Sequence, residues 1–60
     1  MFFKVFVNYG YTDEQLIGES NSRIEARNIA EEYAQDLAYK RVEVISFADD
    51  GEALTHYVYD

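Results

Sequence analysis

One stretch of this 60-residue chain carries helical periodicity, and it stands between two pairs of strand-like segments. Ala26, Ala30, Tyr33 and Leu37 recur at the spacing of one helical stripe, with Ile29 and Ala34 at its borders. Ser22-Arg23-Ile24-Glu25 ahead of the stripe fits a capping box. In such a box Ser22 is expected to accept from the backbone N–H of Glu25, and Glu25 to reach back to Ser22. A helix from about Arg23 to Ala38 follows, with Lys40 and Arg41 placed for the negative end of its dipole. One helix covers one face of a sheet at most. Whatever sheet the flanking segments build is therefore expected to keep one face uncovered.

The flanking segments read as strands. Phe2 to Tyr9 is dense in aromatic and β-branched residues. Phe3, Val5, Val7 and Tyr9 share one face, and Phe2, Lys4, Phe6 and Asn8 the other. The first set is the more apolar and is assigned to the core. After a turn at Gly10, a short edge strand is expected from about Glu14 to Glu19. Arg41 to Phe47 begins as strict alternation with Val42 and Val44 inward, which sends Ile45 and Phe47 to the opposite face unless a bulge intervenes. Asp50-Gly51 centres a hairpin turn, and Ala53 to Tyr59 returns. On that strand Leu54, His56 and Val58 share one face, and Thr55, Tyr57 and Tyr59 the other.

These elements predict an α+β fold of order ββαββ. Its four-stranded antiparallel sheet has the spatial order 2-1-3-4, with one helix packed on one face. The expected core includes Val5, Val7, Ile29, Tyr33, Leu37, Val42, Val44 and Leu54. The uncovered face is expected to hold Phe2, Phe6, Ile45, Phe47, Tyr57 and Tyr59. An apolar patch of that kind tends to mark an interaction surface.

Composition narrows the chemistry. There is no Cys, so neither disulfides nor thiolate metal sites contribute. No apolar run approaches the 18 or so residues of a membrane span, and no secretory leader is expected. One domain in the cytoplasm is the expectation. The single histidine, His56, lacks a second His or Cys to share a metal with, and no metal or cofactor is expected. Ser46 and His56 can approach across the last hairpin near Asp49 and Asp50. A hydrolase also needs an oxyanion hole and a cleft, for which 60 residues leave little room. Asp49-Asp50-Gly51-Glu52 fails as a calcium loop, because Ser46, Ala48 and Tyr57 stand where ligands are required. Catalysis is not expected.

Twelve acidic residues against five basic ones give a net charge of −7. Nucleic-acid binding rests on cationic contacts to phosphate, so direct binding of DNA or RNA is disfavoured despite the aromatic sheet. Acidity suits a protein that docks on a basic surface. Glu25, Glu32 and Asp36 lie along one helix flank, with axial separations of about 10 Å and 6 Å. Asp49, Asp50 and Glu52 cluster in the last turn. Phe6 and Tyr57 are the aromatic anchors expected beside them.

An aromatic first strand from Phe2 to Tyr9, a helix opening Ser22-Arg23-Ile24-Glu25-Ala26 and the strand Arg41-Val42-Glu43-Val44 form a pattern over the whole chain. In architecture it resembles the small accessory proteins of bacteriophages and mobile elements. These include inhibitors of host RNA polymerase and anti-CRISPR proteins, several of them acidic α+β minidomains that dock on a large host machine. The resemblance contains no motif that assigns a functional residue. It implies a non-enzymatic inhibitor or modulator of anti-defence type, working in the host cytoplasm on a larger host protein or nucleoprotein complex. The alternative is a self-associating module, a homodimer through the open aromatic face.

Overall fold

The computed structural model describes residues 1–35 and 41–59, with the Thr55 side chain excepted. Strand β1 (Phe2–Val7) is followed by β2 (Gln15–Ser20), helix α1 (Arg23–Ala34), β3 (Val42–Phe47) and β4 (Ala53–Tyr59). The strands form one antiparallel sheet of order β2-β1-β3-β4, as the sequence predicts. β1 pairs with β3 along its whole length, from Phe2 opposite Phe47 to Val7 opposite Val42.

The helix packs on one face of the sheet. Phe3, Val5 and Val7 from β1, Val42 and Val44 from β3, and Ala26 and Ala30 from α1 form the buried core. Ile17, Ile29, Tyr33 and Ala34 pack at its margin. The two fully enclosed alanines let the helix backbone come close to the sheet. Gly18 serves the same approach from β2: a Cβ there would lie 3.1 Å from two carbons of the Ile29 side chain. The extra residue in β2 is accommodated by a bulge opposite Val5 and Phe6.

Helix capping is half of what the sequence suggests. Ser22 Oγ accepts from the Glu25 N–H at 3.3 Å. The reciprocal arm is supplied by Ser20, whose hydroxyl accepts from the Ser22 N–H at 2.9 Å. Glu25 is thereby left pointing to solvent. The helix is described to Ala34 with Gln35 as its C-cap, so Leu37 and Asp36, expected in its last turn, lie outside the described residues.

Side-chain placements differ from the sequence reading at Tyr9 and along β4. Tyr9 does not join Phe3, Val5 and Val7. Asn8 adopts a left-handed conformation with φ of 54°, which an asparagine tolerates, and the chain turns there. The Tyr9 ring then lies 4.8 Å from that of Phe6, on the helix-free side. Leu54, expected in the core, is 47% exposed. Tyr57 and Tyr59, expected on the uncovered face, are on the helix side: Tyr57 pairs with Val44 and Tyr59 with Val42.

The last two differences have one cause. Phe47 pairs with Ala53, but Ser46 pairs with Thr55, so Leu54 is the extra residue of a bulge. Without it Leu54, His56 and Val58 would fall beside the helix, as alternation predicts. With it every later side chain of β4 changes face.

Candidate functional site

The helix-free face is not a uniform aromatic patch. Two of its residues are almost completely enclosed without any help from the helix, Ile45 and Glu43. Glu43 stands on β3 with Phe6 of β1 on one side and Val58 of β4 on the other. Its side chain is 1% exposed. Arg41 Nε lies 2.7 Å from Oε1 of Glu43, off the direction its N–H needs for a hydrogen bond. His56 Nε2 contacts Oε2. Tyr9 closes the cluster from above, with its ring 6.1 Å from His56 edge-on as well as against Phe6. A carboxylate withdrawn from water is thus held between two cationic-type side chains and two aromatic rings. Such burial is costly unless the charge is paired.

Alternation in the sequence assigns Glu43 to a solvated outward position, and nothing local marks it for burial. Only Arg41 is near it in sequence; the other groups around it come from β1, the β1–β2 connection and β4. Arg41 is engaged with this carboxylate and is not free to serve the helix dipole.

Chemically, Glu43 can fix the orientation of the His56 ring, the arrangement found behind catalytic histidines. The nucleophile is not in place. Ser46 is buried on the helix side of β3, and His56 is on the other face, opposite Ile45. Among the described residues no three His, Asp or Glu side chains converge as a metal site would require.

Further apolar groups of the helix-free face rim the enclosed centre. Leu16, Leu54 and Val58 are exposed, and Phe2, Phe6 and Phe47 are half-buried. Lys4 lies over the Phe47 ring at 5.4 Å. The turn 49–52 adjoins this rim, because Phe2 pairs with Phe47, separated from the turn only by Ala48. Ala48 N–H to Glu52 O at 2.8 Å and Gly51 N–H to Ala48 O at 2.9 Å close the turn. Asp50 Oδ1 accepts from the Glu52 N–H, and Asp49 sits 3.6 Å from the amino terminus. Asp49, Asp50 and Glu52 are all exposed.

The structure brings together part of the predicted set. Phe6 and the acidic turn belong to the helix-free side. Glu25 and Glu32 are exposed on α1, in the other layer. Tyr57 is 60% exposed, also on the helix side, where Arg27 lies 5.9 Å from its ring. The Tyr59 hydroxyl, hydrogen-bonded by Arg27 Nε at 3.3 Å, raises the Arg27 pKa, so this guanidinium is a fixed cation. No helix among the described residues is long and apolar enough to cross a membrane. Comparison of the chain with protein-family models, curated proteins and solved structures finds no significant match.

Proposed function

We propose that the chain is a non-enzymatic protein-binding module that docks on the basic surface of a larger protein, acting as an inhibitor or modulator of it. The observation that supports this reading is the juxtaposition on the helix-free side. An apolar rim of Phe2, Phe47, Leu54 and Val58 runs into the exposed carboxylates of Asp49, Asp50 and Glu52. Apolar anchors with a charged border match the general anatomy of protein interfaces. The acidic border would steer encounter with a cationic surface, and the apolar groups would hold the complex. Glu25 and Glu32, in the other layer, add to the long-range field and not to the contact itself.

The test uses a photo-crosslinking residue placed at Leu54 or Val58 in the native host, followed by purified binding to the captured protein. Asp49→Asn, Asp50→Asn and Glu52→Gln together are expected to slow association about tenfold or more at low salt and to flatten the salt dependence. Phe47→Ala is expected to speed dissociation. A captured partner whose binding is indifferent to both sets removes this surface from consideration. Turnover abolished by His56→Ala in a substrate screen would instead make Glu43 and His56 the working pair of an enzyme.

A further inference from the structure

The sheet has two edges, and only one is protected against pairing. β2 carries a mid-strand bulge, Gly18 within it, and the charged residue Glu19, all devices that discourage an incoming strand. β4 reads Ala-Leu-Thr-His-Tyr-Val-Tyr, with no carboxylate, lysine, arginine, proline or glycine. Its bulge lies at the beginning, and from Thr55 to Tyr59 it pairs with β3 residue by residue. Its other side has no neighbour among the described residues. A run of unpaired backbone N–H and C=O groups on such a strand is a template for another strand. The helix does not obstruct it: α1 packs chiefly over β1, β2 and β3, which leaves a groove lined by Phe3, Arg23, Arg27, Val44, His56 and Tyr57 open beside β4.

We infer that β4 pairs antiparallel with β4 of a second copy, joining two sheets into one of eight strands about a two-fold axis near Tyr57. The chain's own guarded edge decides against the alternative pairing of β4 on β2, which would repeat without closing. Pairing β4 on β4 uses both free edges at once and stops. Charge favours the same arrangement. With seven net negative charges per copy, association requires the carboxylates to stay apart. Residues 53–59 contribute none, and Arg23 and Arg27 flank them on the helix side. Antiparallel pairing centred on Tyr57 puts the two 49–52 turns at opposite ends of the seam. They are then roughly 30 Å apart at 3.3 Å per residue, several times the screening length of about 8 Å in physiological salt. A parallel seam would set them side by side. The inferred axis is perpendicular to the sheet, so both helix-free faces point the same way. A dimer would offer two copies of the rim described above.

Sedimentation equilibrium on the intact chain, over a series from micromolar to millimolar, tests the inference. The wild type is expected to approach twice the monomer mass and to stop there. Tyr57→Lys places two ammonium groups face to face at the axis and is expected to weaken dimerisation at least tenfold. Tyr57→Phe keeps the ring and is expected to leave it unchanged. Leu16→Lys, on the guarded edge, is expected to have no effect. Circular dichroism checks that each variant is folded. A wild type that stays monomeric throughout, or grows past the dimer, overturns the inference. So does a dimer that survives Tyr57→Lys and is lost in Phe47→Lys, which would place the contact on the helix-free face.

Discussion

Glu43 is the one fully buried charge in the described structure, and replacing it gives a result opposite to intuition. Its carboxylate is 1% exposed, whereas the Arg41 and His56 side chains that pair with it are 39% and 46% exposed. Desolvation therefore falls mainly on the glutamate, with the buried Nε of Arg41 also withdrawn from water. Removing one member of a buried ion pair usually costs about 3–5 kcal/mol, because the other charge is left in a dry site. Here the His56 ring left behind by Glu43→Leu can turn to water, and the partly exposed Arg41 side chain can swing its buried Nε outward. Leucine brings similar volume between Phe6 and Val58, and such replacements are often neutral or stabilising. Glu43→Leu is expected to match the wild type or exceed it by up to about 2 kcal/mol. His56→Ala is expected to cost about 1–3 kcal/mol, since it leaves a buried acceptor with only the misaligned Arg41. In the double variant that cost should vanish, giving a coupling of about 1–3 kcal/mol. Urea denaturation followed by circular dichroism, with slopes compared across variants, supplies these values. A Glu43→Leu variant destabilised by more than about 3 kcal/mol alongside a neutral His56→Ala would refute the reasoning, because the carboxylate would then be held by favourable contacts independent of the histidine.

Three further outcomes follow from the packing and the turns. Ala30→Leu forces a large side chain between α1 and the sheet where no space exists, and denaturation should show a loss of about 1–3 kcal/mol or more. Ser22→Ala removes the acceptor for the Glu25 N–H, and the same measurement should show a loss of about 1 kcal/mol. Gly51 has φ of 90° with open space around its α-carbon, so Gly51→Ala carries backbone strain without a clash; about 1–2 kcal/mol is expected, with the helix content by circular dichroism unchanged.

Element types, their order and the strand arrangement were legible because β1, α1, β3 and β4 each carry a clear period, while β2 follows only from the turn at Gly10 and the short run of Leu16 and Ile17. The aromatic alternation of Phe2 to Val7, the alanine stripe of α1 and the Asp50-Gly51 turn each point to a single local structure, and one helix with four short strands leaves few ways to close a core. The inner faces of β1 and β3 were legible for the same reason. The candidate site was not. Alternation describes which way a side chain points, not how much of a face is enclosed. Glu43 and Ile45 point away from the helix as read, yet both are buried. Their cover includes Tyr9, which the left-handed turn at Asn8 redirects, and His56, which the sequence placed on the opposite side.

The displaced His56 and the exposed Tyr57 share an origin in a single residue. Counting back from the Asp50-Gly51 turn with unbroken pairing would set Tyr57 opposite Glu43 and His56 opposite Val44. A phenol would then stand over the carboxylate, and an imidazole would sit beneath the helix among valines. The bulge at Leu54 moves each by one position. His56 arrives opposite Ile45, within reach of Glu43, where a basic nitrogen can meet a buried acid. Tyr57 arrives opposite Val44, beside Arg27 and at the open edge of the sheet. A strand-breaking residue would have announced the bulge, but Ala53-Leu54 contains none, and leucine is as much at home in the regular strand. Thus the feature with the largest effect on where charge is buried and where aromatic surface is exposed left no trace in composition or period. It is visible only in the pairing of Phe47 with Ala53 and of Ser46 with Thr55.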